Sequence, residues 1–205
     1  MKCKVIAITG QIGSGKSLLG NYLKSKGYFV VDCDKLSRDV ASLPQTVETV
    51  KETFGSQYVS NGALNREKIR AEILADSNKC NLYNQLFFDK IRQMLTSAIQ
   101  QSNATVVFVE IPLIDAFEYP WYQIWQVTSP IAMRVDRVTK RDNVDESDVL
   151  RVSALQVYAT TPTLVVNNDG TKEQFYQKID LLRNLYDRPS QVFGEDQAEK
   201  LQLQQ

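Results

Sequence analysis

The stretch that most constrains this chain is Val5-Ile6-Ala7-Ile8-Thr9-Gly10-Gln11-Ile12-Gly13-Ser14-Gly15-Lys16-Ser17. Its apolar run, Val5–Ile8, has the length and composition of a fully buried strand. Gly10 to Ser17 then fits G-x-x-x-x-G-K-[ST], the phosphate-binding loop. Glycines at this spacing let the backbone come close to an oxyanion. Successive N–H groups from Gly10, Gln11, Ile12, Gly13, Ser14 and Gly15 onward form a nest for a β-phosphate, at the positive end of a helix starting near Lys16. The Lys16 ammonium serves the β- and γ-phosphates, and the Ser17 hydroxyl is the expected Mg²⁺ ligand. The plain alternative is a glycine-rich turn between any strand and helix. The buried strand before the loop and the amphipathic pattern after it (Leu18, Leu19, Tyr22, Leu23) favour a nucleoside triphosphate site.

No histidine occurs among the 205 residues. That excludes Ser-His-Asp chemistry, His-ligated metal and a histidine general base, and leaves carboxylates as candidate bases. Lys plus Arg and Asp plus Glu total 24 each, so no net charge draws the chain to nucleic acid or an anionic membrane. Cys3, Cys33 and Cys80 are odd in number and lack metal or disulfide spacing, which fits a reducing cytosol. No apolar run approaches the roughly 18 residues of a membrane span, and no signal peptide is expected ahead of the first strand. The expectation is a cytoplasmic protein with small-molecule substrates and no nucleic-acid or membrane partner, monomeric rather than oligomeric. Its length suits one domain with insertions.

In chain order, Ser17–Lys26 reads as a helix stopped by Gly27, and Tyr28–Val31 as a second short strand. Strand, helix and strand in this compass make a βαβ unit, hence a parallel sheet with helices on both faces. Ligands of such sheets sit at the carboxyl ends of the strands, where Asp32 and Asp34 follow the second one. Their ordinary use is to cap the next helix, expected from Lys35 to Val40; beside a phosphate loop, at least one is expected to act on substrate. Residues 41–104 read as a helical cap over the sheet. Asn61-Gly62 marks a turn, Asn65 caps a helix over 66–74, and a longer helix runs from about Lys79 to Gln100. Phe87 and Phe88 on that helix are either pocket lining or, as aromatics at helical spacing usually are, core. Thr105–Glu110 is the next buried strand, and Glu110 falls where phosphate-loop enzymes place a carboxylate near Mg²⁺. A strand over Ile124–Val127 leads to a basic helix from Met133 to Lys140. There Arg134 and Lys140 are expected on a solvated face, while a lid arginine comes from the same stretch. Leu164–Val166 is the last strand, Lys172–Tyr186 a closing helix, and 188–205 a polar tail.

These residues resemble the dephospho-coenzyme A kinase family from Met1 to about Tyr186. The resemblance rests on Ile8-Thr9-Gly10 through Ser17, on Val31-Asp32-Cys33-Asp34, and on Gly62-Ala63-Leu64-Asn65-Arg66. Pro112-Leu113, Arg137 with Arg141-Asp142, Gln156, and Val165-Val166-Asn167-Asn168 continue it in the same order and spacing. It implies an α/β, three-layer P-loop kinase fold with a parallel sheet, an acceptor cap (41–104) and a short lid (133–160) in one domain, 1–187. It also implies transfer of a phosphoryl group from ATP to the ribose 3′-hydroxyl of dephospho-coenzyme A. By that resemblance Asp34 orients or deprotonates the hydroxyl with Asp32 in support, Arg141 is the lid arginine, and Arg66 and Arg70 serve the acceptor. Thr9 and Phe88 fall on the acceptor side, Asn168 with Arg141 on the ATP side, and Ser17 with Glu110 at Mg²⁺.

The chain departs from the family pattern at identifiable places. The family's His-Pro falls at Phe88-Asp89, the usual glycine after the first loop glycine is Gln11, and Pro112 to Ala116 stands for P-L-L-F-E. Val157 to Val166 is shorter than its family counterpart and has no basic residue. The ATP side is therefore well kept, and the acceptor and lid sides are eroded. Two other classes suit such a chain: a kinase for a nucleoside, nucleotide or other hydroxyl acceptor, and a nucleotide-binding protein without turnover.

Overall fold

Strand β1 (Lys4–Thr9) is the middle of a five-stranded parallel sheet in the computed structural model, which describes residues 3–73, 76–156, 159 and 161–187. The other strands in chain order are β2 (Phe29–Asp32), a small antiparallel pair β3 (Val59–Ser60) and β4 (Ala63–Leu64), then β5 (Val106–Glu110), β6 (Gln123–Thr128) and β7 (Leu164–Asn167). The sheet runs β2-β5-β1-β6-β7, with Ile8 beside Glu110 and Glu110 beside Asp32. A parallel sheet needs long crossovers and is covered on both faces, which is why its strands read as continuous apolar runs.

Side chains alternate across each strand, so the central runs supply two cores. Val5, Ala7, Val107 and Val109 share one core with Phe87, Ile91, Leu95 and Ile99 of the long helix. Ile6, Ile8 and Phe108 alternate to the other face and are fully buried; there the Phe108 ring meets Tyr28 and Trp125 at 5.3 Å. Helix α1 (Lys16–Ser25) packs on β1, β2 and β5 and buries Leu19 and Leu23 completely.

Between β2 and β5 the chain is mostly helical: α2 (Cys33–Ser42), α3 (Pro44–Phe54), α4 (Arg66–Lys68), one π turn over Ile69–Ile73, and α5 (Ser77–Ser102). Helix α2 starts before Lys35 because Asp32 is its N-cap, accepting from the Lys35 N–H at 3.1 Å. The Asn61-Gly62 turn has φ of 51° and 74°, as a two-residue hairpin requires. Asn65 caps α4 through the Lys68 N–H at 3.1 Å. The helix expected over 66–74 is instead this short α turn followed by the π turn, and Leu74 lies outside the described residues. Helix α3 was not anticipated, although Pro44 at its first turn is a good helix opener.

After β6 come α6 (Ile131–Asp142) and α7 (Glu146–Leu155), the second of these also unanticipated despite its acidic first turn. The chain groups into two compact units that divide between Asp169 and Gly170. In the second unit, Thr171 and Gln174 open α8 (Lys172–Asp187) by bonding reciprocally, at 3.3 and 2.8 Å. The polar tail expected from residue 188 lies outside the described residues. Among those described, no helix is long and apolar enough to cross a membrane.

Phe108 is the side chain on which the α1 face of the sheet closes. Phe108→Ala should lower unfolding free energy by about 3–5 kcal/mol in urea titrations, the usual cost of emptying such a site. A loss below about 1 kcal/mol would place the core elsewhere.

Candidate active site

The loop between β1 and α1 is shaped by close backbone approaches. Gly13 has φ of 76°, and a Cβ there would lie 2.6 Å from the Arg134 carbonyl oxygen. Gly15 has φ of 107°, and a Cβ there would lie 2.2 Å from Asn168 Nδ2. No other residue fits either position. Gly15 is the N-cap of α1, no side chain caps the helix, and its first turn has no acid. The leading N–H groups of α1 are therefore free of intrahelical partners and point where an anion is favoured. Behind the loop, Asn168 Nδ2 donates to the Ser14 carbonyl at 2.8 Å. Arg137 donates to the Asn168 carbonyl at 3.2 Å, to Ser129 Oγ at 3.0 Å and to the Gly13 carbonyl at 3.3 Å.

Charged groups gather at the carboxyl ends of β1, β2 and β5. Lys16 Nζ donates to the Gly10 carbonyl at 2.6 Å, and the Ser17 hydroxyl donates to the Glu110 carboxylate. Asp32 is beside Glu110 across the β2–β5 pair, and Asp34 sits in the first turn of α2. Burial pushes the Lys16 ammonium down, against the upward pull of Glu110 and Asp34. Burial likewise raises the Asp34 carboxyl, Asp32 raises it further, and Lys16 and Arg38 oppose the rise. For Glu110 burial again dominates upward, while the Ser17 hydrogen bond holds the carboxyl down. The Cys33 thiol between the two aspartates is pushed up to about 12, first by burial and then by Asp32, and is inert as a nucleophile at neutral pH.

Arg141 lies on the last turn of α6 with its side chain 62% exposed, donating to Asp142 at 2.7 and 2.6 Å. Its charge still reaches Lys16, contributing to the downward shift of that ammonium. A cavity of about 310 Å³ opens between α2, α5 and the loop after β5. Arg38, Arg66, Tyr83, Phe87 and Phe88 line it. Apolar walls with two guanidiniums suit a ligand that combines a flat ring with an anion. Arg38 joins the two regions, since it lines the cavity and acts on Asp34.

Residues 4–174 match the protein family described as dephospho-CoA kinase. The chain belongs to the dephospho-CoA kinase family. A dephospho-CoA kinase from Shouchella clausii is 30% identical over 185 residues, spanning 85% of this chain and 94% of that protein. A crystal structure from Thermus thermophilus superposes with a TM-score of 0.82 at 26% identity, covering 93% of this chain and all of the other. The Campylobacter jejuni dephospho-CoA kinase structure, at 16% identity and a TM-score of 0.59, covers 89% of this chain and 96% of its own and shares the fold. Like its family, the chain is an ATP-dependent kinase with a parallel sheet flanked by helices.

Set against that family pattern, the expected residues fall into groups. Lys16, Asp34, Asp32, Glu110 and Ser17 come together, and Arg66 and Phe88 meet at the cavity. Phe87 is both pocket lining and core. Thr9 is buried at the end of β1, and Asn168 is buried against the loop backbone. The Ile12 N–H is held by Gln156 Oε1 at 2.6 Å and is committed to the protein. Arg134, expected on a solvated face, is only 5% exposed, because its guanidinium reaches the Ser129 carbonyl at 3.2 Å and Ser153 Oγ at 2.7 Å. Lys140 does lie on the exposed side, paired with Asp136 at 2.6 Å. The Arg70 side chain lies outside the described residues. Sequence reasoning missed Arg38, although four residues after Asp34 on one helix is the spacing that shares a face.

The donors near Lys16 also test the expected cation. Among the described residues no group of three or more His, Cys, Asp or Glu is arranged to hold a metal. A hydroxyl and a single carboxylate, both hard oxygen donors, nevertheless fit Mg²⁺, which keeps most of its shell for water and phosphate.

Glu110 carries a stability prediction. Its folded carboxyl binds the proton more tightly than the unfolded one. Its contribution to stability therefore falls as pH rises from the ordinary carboxylate range through the raised folded value. Glu110→Gln should melt higher than wild type at pH 7, with the gap closing under acid. A variant that melts lower at pH 7 would show that Lys16 and Ser17 more than offset the burial.

Proposed function

We propose that the protein transfers the γ-phosphoryl group of ATP to the ribose 3′-hydroxyl of dephospho-coenzyme A, forming coenzyme A. The observation carrying this reading is the position of Asp34. It interacts with both the loop lysine and Arg38, which lines the cavity, and its carboxyl is raised by burial. Such a carboxylate is a better general base near neutral pH than an exposed one.

In this reading the loop from Gly10 to Ser17 holds the triphosphate, and Lys16 turns from the Gly10 carbonyl to the β- and γ-phosphates. Asp34 takes the 3′-hydroxyl proton as that oxygen attacks the γ-phosphorus and ADP leaves. Asp32, through its cap on the Lys35 N–H, keeps α2 and hence Asp34 in place. Arg141 exchanges its exposed partner Asp142 for the transferring phosphoryl, an exchange that surface screening makes inexpensive. Ser17 and Glu110 would hold Mg²⁺, whose chemistry there is to neutralise charge on the β- and γ-phosphate oxygens. Arg38, Arg66 and Phe88 receive the acceptor, with Arg70 and Thr9 assigned to the same side by the family pattern.

The organisation that goes with this function is one kinase domain over 1–187. Its acceptor cap is 41–104, its lid 133–160, and its polar tail 188–205. A cytoplasmic protein, monomeric in this reading, goes with it, and the even charge balance fits the absence of nucleic-acid and membrane partners.

Release of ADP from ATP in the presence of Mg²⁺, with and without dephospho-coenzyme A, tests the proposal. Asp34→Asn should lower turnover about 10²- to 10⁴-fold with ATP affinity little changed. Lys16→Ala should remove turnover without unfolding the protein. ADP release indifferent to dephospho-coenzyme A, or an Asp34→Asn enzyme at wild-type rate, would reject it.

A further inference from the structure

Gln11 stands where the family usually has glycine, yet its backbone is not in the left-handed region, so a side chain is admitted without strain. That side chain crosses to the C-terminal end of α7. Its Nε2 donates to the Gln156 carbonyl at 2.7 Å and to the Ser153 carbonyl at 3.2 Å. Gln156 reciprocates, its Oε1 accepting the Ile12 N–H at 2.6 Å. Buried Arg134 closes the ring from α6, donating to Ser153 Oγ at 2.7 Å and to the Ile12 carbonyl at 3.4 Å. Loop, α6 and α7 are thus joined at one end of the α6–α7 pair, whose opposite end carries Arg141 and Asp142.

We propose that Gln11 is a positioning residue that fixes the base of the α6–α7 hairpin to the phosphate loop, giving Arg141 a constant pivot relative to the phosphates. The proposal rests on the kinase reading above. A glycine cannot reach α7 at all, so this chain ties its lid to the loop through a side chain at that position. The physical consequence is precision, since a misplacement of about 1 Å at a reacting group can cost up to about 10²-fold in rate.

Gln11→Gly and Gln11→Glu in the full-length protein test this, the second because it keeps the shape but turns a carboxylate toward two carbonyls. With ATP and dephospho-coenzyme A, kcat should fall roughly tenfold or more in both variants, while KM for dephospho-coenzyme A stays within about twofold. Amide hydrogen exchange at Ile12 and residues 153–156 should quicken, and Gln156→Ala should add little to Gln11→Gly because both belong to one network. Variants that melt lower but keep wild-type kcat would reduce Gln11 to a structural contact and overturn the proposal. Unchanged exchange at 153–156 would overturn it as well, and this readout needs no turnover. Failure of the wild-type protein to phosphorylate dephospho-coenzyme A would instead reject the kinase reading, leaving the exchange result to decide the brace.

Discussion

The phosphate loop touches three elements that lie far from it in the chain. Ideal Cβ atoms at Gly10, Gly13 and Gly15 would fall 2.2 Å from the Val127 carbonyl, 2.6 Å from the Arg134 carbonyl and 2.2 Å from the Asn168 amide. Strand β6, helix α6 and the end of β7 therefore converge on one backbone. Hydrogen bonds from Asn168, Arg137 and Arg134 to loop carbonyls, and one from the Ile12 N–H to Gln156 Oε1, then consume the loop's outward-facing groups. What remains for a ligand is the inner side, where α1 begins without a cap. Preorganisation of this kind moves the cost of ordering a phosphate site from binding to folding.

The same convergence brings charge out of water. Asp34, Glu110 and Lys16 are all shifted toward their neutral forms by burial, and the attraction of Lys16 to each carboxylate recovers part of the loss. Such an arrangement costs stability in the resting protein, and in the proposed reaction the same buried carboxylate would serve as base and the same ammonium would change partners. Surrounding hydrophobic burial offsets that cost, in the two cores on either side of β1.

How much of this could be read in the chain follows from the range of each interaction. The loop motif, the five core strands, and the Asn61-Gly62 turn are local, and each carries its own chemical reason within a few residues. The place of Asp34 beside the loop lysine was legible because the strand end before it and the phosphate loop are both local signals. Arg134 was not. Its burial depends on Ile12 and Ser153, which lie 122 and 19 residues away, and a basic helix with mixed neighbours reads as a solvated face. Gln11 was legible as a departure but not as a contact, because its partners are 142 and 145 residues distant. Helix α7 is short and weakly patterned, so periodicity alone did not announce it. Arg38 was within reach of sequence reasoning, at four residues from Asp34 on the same helix.

The central claim is that this site phosphorylates one particular hydroxyl. Phosphorus–proton correlation spectroscopy of the product made from ATP and dephospho-coenzyme A tests it most directly. The account predicts a new phosphomonoester coupled to the ribose H3′ proton, formed in step with ADP. A phosphate attached at another oxygen, or ADP accumulating while dephospho-coenzyme A stays unmodified, would contradict it.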